Sequence, residues 1–345
     1  MLSLHIRVQL ASIDLGENRT MNRRELLKSA AWIFVARTLH AQSSPAKPAP
    51  ASAERLRSRV LIYDLHDGSS HLAYAADSIW EAPNWSPDGK YLIANSGGGI
   101  YKLVLKQDGT AEPERLAIPA DYQCNNDKAI SPDGKKIAFS ATVPPHKGSQ
   151  VFLADADGSN VKLMASESPS YFHGWSPDNK TLAFVAQRNG SGQYDIYSMP
   201  ADGGPEKQLT SNVHQDDGPD YSPDGKWIYI NSDRNGKEAI WRFPAEGAGP
   251  NDTKAELVVN DGLEDWFPHI SPDGKKMVYI GYPAGTPTHN PRDVHIELKL
   301  VTLDHGKVGS TKTVVEGIGG QGTMNVNSWA PDSVRFAYVT YEALP

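Results

Sequence analysis

The segment HQDDGPD, residues 214–220, crowds one imidazole against three carboxylates and occurs once in the chain. His269 and Gln321 stand further along at comparable places before later repeats. Imidazole nitrogen, carboxylate oxygen and amide oxygen are the ligand types that share a divalent ion such as Mn or Ca. His214, Asp217, His269 and Gln321 are therefore the expected metal set. Asp216, Arg234, Trp266, Arg292 and Asn325 are the expected ligand-binding residues, the two guanidinium groups being suited to a substrate carboxylate. Trp266 belongs to an aromatic group with Trp80, Tyr122, Tyr171, Phe172 and Phe267, which suits sugar rings or peptide side chains. Plainer roles compete: Asp217 and His269 can bond nearby backbone, and the aromatics can pack between sheets. No pair among the metal candidates has a diagnostic ligand spacing.

What must position these residues is a repeat. WSPDGKYLIANS from Trp85, ISPDGKKIAFSA from Ile130 and WSPDNKTLAFVA from Trp175 are followed by YSPDGKWIYINS from Tyr221, ISPDGKKMVYIG from Ile270 and WAPDSVRFAYVT from Trp329. A period in the mid-forties is that of a four-stranded propeller blade. Proline presets φ, Asp bonds the local backbone, and Gly or Asn takes the left-handed position that closes a hairpin. An alternating strand follows each turn, and outer hairpins turn at Asp157-Gly158 and Asp202-Gly203-Gly204. One outer pair, from Arg59, precedes the first unit, and the chain ends on an inner pair. The expected fold is all-β: six blades over residues 58–345, with the N-terminal strands completing the last blade and removing two open edges.

Connectivity then sorts the loops. The Ser-Pro-Asp-Gly turns share one face with the outer Asp-Gly turns, and both are stereotyped. The opposite face gathers the segments leading into each innermost strand, 77–84, 121–129, 166–174, 211–220, 260–269 and 317–327, which differ from blade to blade. It also takes the 282–293 insertion with His289 and Arg292. Variable loops on a rigid scaffold carry function, so this funnel face is where a site is expected. GIGGQG, residues 317–322, lacks the lysine and helix of a phosphate cradle and points to close backbone approach. Trp85, Trp175 and Trp329 are assigned to packing.

The Trp-Ser-Pro-Asp-Gly-Lys…Ile-Ala-Phe pattern resembles the repeat of TolB-like six-bladed propellers (PD40, WD40-like) over roughly residues 55–345. TolB itself carries an α/β domain before its propeller, where a leader and tether are expected here. Similar blades cover prolyl oligopeptidases, but no Gly-x-Ser-x-Gly elbow occurs. Oligogalacturonate lyase, a related seven-bladed propeller, uses histidines and a glutamine around manganese, and the likeness extends to ligand types. Two functions follow as expectations. One is an exported propeller that binds a ligand or partner at its funnel without catalysis. The other is a metal-dependent lyase on an acidic saccharide, with the ion stabilising an enolate.

Bulk features narrow the partners. The 345 residues carry 41 acidic and 34 basic side chains, a net charge of -7, with no basic stripe for nucleic acid. A single cysteine, Cys124, excludes an internal disulfide. MNRRELLKSAAWIFVARTLHA, ending at Ala41, resembles a twin-arginine export leader, with Arg23 and Arg24 before an apolar run too short to span a bilayer. Residues 1–41 are thus expected to be a leader and 42–57 a Pro/Ala-rich linker. The mature protein is expected in the periplasm as a monomer, with an envelope protein or a saccharide as partner and no transmembrane segment.

Overall fold

The computed structural model describes residues 56–287 and 292–344; the leader, most of the linker and His289 lie outside them. The repeated turn is built as its chemistry dictates. Ser86 donates to Asp88 at 2.7 Å, its hydroxyl oxygen accepts the Tyr91 N–H at 3.1 Å, and Gly89 takes a φ of 72°. The same serine-to-aspartate bond recurs at Ser131, Ser176, Ser222 and Ser271. In the sixth unit Ala330 replaces the serine and Ser333 holds the left-handed position at φ 61°. There Arg335 clamps Asp332 at 2.7 Å.

Six antiparallel blades result. Blade 1 consists of Glu81–Trp85, Tyr91–Ser96, Gly99–Leu105 and Ala111–Arg115, from the axis outwards. Blade 2 runs Gln123–Ile130, Lys136–Thr142, Gln150–Asp155 and Lys162–Ala165. Blade 3 runs Ser170–Trp175, Thr181–Ala186, Asp195–Pro200 and Lys207–Gln208. Blade 4 runs Asp216–Tyr221, Trp227–Ser232, Ala239–Pro244 and Glu256–Val259. Blade 5 runs Glu264–Ile270, Lys276–Tyr282, Val294–Asp304 and Lys307–Gly319. Blade 6 joins the two ends of the chain: Arg335–Ala343 pairs with Leu56–Asp64, which pairs with Ser69–Ala76. Its innermost strand is reduced to a single bridge between Trp329 and Phe336. The ring closes by strand exchange, as expected, and all six turn prolines line one axial pocket of about 330 Å3.

The core lies between blades. Ala138, Val151 and Leu153 of blade 2 meet Phe172, Trp175 and Phe184 of blade 3 in one apolar layer. The aromatics expected at a funnel rim divide accordingly. Trp80, Phe172, Trp266 and Phe267 are buried in such layers, while Tyr122 and Tyr171 remain part-exposed. Trp85, Trp175 and Trp329 are buried, as assigned, and two of their indole N–H groups donate backwards across a blade boundary, Trp175 to Ala129 and Trp329 to His269.

Innermost strands present one unpaired edge to the axis, so their backbone groups need side-chain partners. Asn84 accepts the Ile130 N–H at 3.0 Å, and Asp220 accepts the Ile270 N–H at 2.9 Å. Asn327 donates to both Asp220 and the Ile270 carbonyl. Burial pushes the Asp220 carboxyl up to about 7, against the bonds from Ile270 and Asn327. Burial pushes His269 down to about 3, so its ring stays neutral although Nδ1 lies 4.0 Å from Asp220.

Two outcomes are expected. Removing residues 56–76 strips the closing strands from Arg335–Ala343 and leaves an open edge, so the truncated chain should aggregate on size exclusion and lose a cooperative melt. A monomeric, cooperatively melting truncation would show that closure is dispensable. Asp220 ionises near its ordinary value when unfolded and near 7 when folded, so the folded chain binds more protons between those pH values. Stability drawn from this site therefore falls as pH rises through that window, by on the order of a few kcal/mol. Asp220→Asn keeps the acceptor for Ile270 and should gain stability relative to wild type from pH 4 to pH 7. Parallel melting profiles would contradict a buried, proton-holding Asp220.

Candidate functional site in the funnel

Every regular innermost strand breaks register just before its turn. The shifts fall between Glu81 and Asn84, Cys124 and Lys128, Phe172 and Gly174, Asp217 and Asp220, and Trp266 and His269. Such bulges re-aim side chains. Gly218 shows why one of them requires glycine: its φ is 63°, and a Cβ there would meet Asn231 Oδ1 and Phe267 Cδ1 at 2.9 Å. The bulges bring together Asp127 of blade 2, His173 of blade 3 and Asp217 of blade 4. His173 Nε2 is 3.3 Å from Asp217 and 3.8 Å from Asp127, and the ring stacks on Phe267. Asn325 donates to Asp127 at 2.5 Å, and Asp217 accepts the Gly218 N–H at 2.7 Å.

These groups floor a cavity of about 620 Å3 that draws its walls from blades 1 to 4, the insertion of blade 5 and the segment leading into blade 6. Burial raises the Asp127 carboxyl to about 6, with the charge of Asp217 adding and His173 and Asn325 opposing. Burial alone would lower His173, but its bond to Asp217 and the charges of both aspartates hold it above the ordinary imidazole value. Beneath them Lys128 is fully buried. Its ammonium donates to the Ala82 carbonyl at 2.5 Å, and burial pushes it down to about 7 against Glu81 and Asp127. On the wall, Glu81 takes Arg292 at 2.8 Å and the Asn95 amide at 3.1 Å. Tyr171 and Tyr194 stand side by side with ring centroids 6.0 Å apart. Burial pushes the Cys124 thiol up to about 12, so this wall residue is no thiolate nucleophile at neutral pH.

The expected site residues scatter. Asp217, Gln321 and Arg292 line the cavity, and Asn325 lies under it, bonded to Asp127. His214 sits half-exposed at the rim against Asp233, and His269 turns to the Met324 carbonyl. The four metal candidates therefore occupy three neighbourhoods, and among the described residues no group of three or more His, Cys, Asp or Glu is arranged to hold an ion. Arg234 is clamped between Asp216 at 2.7 Å and Asp252 at 3.2 Å, buried over Trp241, which leaves it no access to a substrate carboxylate. Asp216 is fully buried by the same clamp, and Trp266 lines a second chamber beside the first. The glycine-rich segment approaches closely, as expected: a Cβ on Gly322 would lie 2.7 Å from Glu81 Cγ. Asp127 and His173 were not singled out in the sequence. Their signal was register, three and two residues before the apolar residue that opens the turn.

Comparison with known proteins agrees with this architecture. The TolB beta propeller domain family, PD40, matches residues 129–302. An uncharacterised protein of Agrobacterium fabrum is 42% identical over 286 residues, covering 83% of this chain and 93% of its own. The Tol-Pal system protein TolB of Francisella tularensis subsp. tularensis is 26% identical over 72% of this chain, a match spanning 57% of that protein. Among solved structures, a candidate TolB from Agrobacterium tumefaciens superposes with a TM-score of 0.76 at 40% identity, over 84% of this chain and 99% of that one. TolB from Acinetobacter baumannii shares the fold with a TM-score of 0.56 at 18% identity, over 83% of this chain and 66% of that one. The chain belongs to the TolB β-propeller (PD40) family.

Proposed function

We propose that this protein is an exported propeller that holds a partner or ligand in its funnel without transforming it. The observation that carries this reading is the cavity itself. Side chains from all around the ring converge on about 620 Å3 whose floor is a buried imidazole held between two carboxylates. Its acid–base groups are bonded to one another, and its thiol is held protonated. Such a floor recognises rather than reacts. A saccharide lyase draws less support, because both arginines suited to a substrate carboxylate are already engaged, Arg234 by Asp216 and Arg292 by Glu81. Relatives named as Tol-Pal system proteins favour an envelope protein of the Pal kind as the partner. None of the described helices is long and apolar enough to cross a membrane. Export rests on the twin arginines at Arg23 and Arg24.

Two experiments test this. The mature chain, titrated calorimetrically with purified Pal, should bind, and Tyr171→Ala with Tyr194→Ala should weaken binding about tenfold or more. Binding that ignores the cavity variants would move the site off the funnel. Replacing Arg23 and Arg24 with lysine should deplete the protein from the periplasmic fraction, and undiminished export would remove the twin-arginine reading.

A further inference from the structure

The funnel cavity has a neighbour. A second chamber of about 420 Å3 shares Tyr194 and Asp217 in its wall and is lined as well by Asp216, Asp233, Glu238 and Glu264. Carboxyl groups outnumber cations across the two chambers. Arg292 is held by Glu81, and His173 lies between Asp127 and Asp217. Lys237, the cation of the second chamber, donates to the Leu263 carbonyl at 3.0 Å. Burial raises Glu238 to about 9, and the charges of Asp217, Asp233 and Asp216 add to it despite a bond from Asn231. Crowding of this kind favours proton uptake or a cationic guest.

An independent observation favours the guest. Asn95 lines the first chamber and is 3% exposed. Its amide nitrogen donates to Glu81 Oε2 at 3.1 Å, which fixes its oxygen as an acceptor, and no hydrogen bond reaches that oxygen. A buried acceptor without a donor destabilises the fold, and a ligand N–H would satisfy it. A bare metal ion suits the pair of chambers poorly, since their carboxylates do not converge on one point. An elongated organic cation suits them well. Tyr194 stands in the wall the chambers share and Tyr171 lies beside it in the first, where ring faces attract an ammonium group and cover an alkyl stem.

We propose that the two chambers receive the two positive ends of one elongated dication, one end donating to Asn95 in the first and the other meeting Asp233 and Glu238 in the second, with Asp217 in the wall between them. This rests on the funnel being a binding site and names the chemistry it selects. A polyamine and a basic peptide segment both offer that chemistry.

Calorimetry on the mature chain tests it with putrescine, an acetylated and amidated Lys-Gly-Lys peptide, butylamine and a galacturonate trimer. Putrescine or the peptide should bind at least about tenfold more tightly than butylamine, and the tighter of the two identifies the source. Asn95→Leu and Glu238→Gln should each weaken the dication about tenfold. Their melting curves separate a lost contact from a lost fold, and the comparison with butylamine on wild type needs no variant. Equal affinity for monoamine and dication, or preference for the anionic trimer, would overturn the inference. Pal binding without any dication binding would overturn it while leaving the funnel as the partner site. Failure of every probe and of Pal as well would remove both.

Discussion

The ring depends on satisfying the inner edge of each blade. A four-stranded sheet standing on a central axis has an innermost strand with one paired side, and its other N–H and C=O groups face the channel. Side chains of the adjoining blades answer that demand: Asn84 for Ile130, Asp220 for Ile270, and the indoles of Trp175 and Trp329 for carbonyls of the blade behind. The axis is polar because the backbone requires it. Each such bond also crosses a blade boundary, so satisfying an edge and joining two blades are one act.

A polar axis has an electrostatic consequence. Charged forms placed there lose hydration, and the shifts follow the sign of the group. Asp220 and Asp127 rise, while Lys128 and His269 fall. His173 departs from this trend because two aspartates from flanking blades outweigh its burial. The axis is thus held near neutrality by protons rather than by matched ions, except where His173 meets Asp127 and Asp217 at the funnel floor. That exception lies at the floor of the funnel cavity.

The sequence made the scaffold legible because its information is local. Ser-Pro-Asp-Gly closes a turn by contacts within five residues, and counting the units supplied blade number and closure. The site was less legible because it is assembled across blades. His214 sits beside Asp216 and Asp217 in the chain, yet the bulge at 217–220 sends Asp217 toward the axis while His214 stays at the rim. His173 and Asp127, 46 residues apart in sequence, meet Asp217 instead. Sequence neighbours crowd only if the backbone keeps its register, and here it does not. Arg234 illustrates the other difficulty. An exposed-looking loop guanidinium became buried because Asp252, from an outer connection, closed over it.

The juxtaposition of a repeated turn and an unrepeated cluster in HQDDGPDYSPDGK follows from the same geometry. The turn pins the end of the innermost strand by bonds that any blade can make, so residues after the bulge have little freedom. The bulge then absorbs the extra residue and decouples what precedes it from the ladder. Positions in the bulge or just before it can hold Glu81, Asp127, His173 or Asp217 in different blades without disturbing the turn below. A ring of identical turns can therefore carry a ring of unlike side chains. Repetition builds the channel, and the bulge makes the variation above it tolerable.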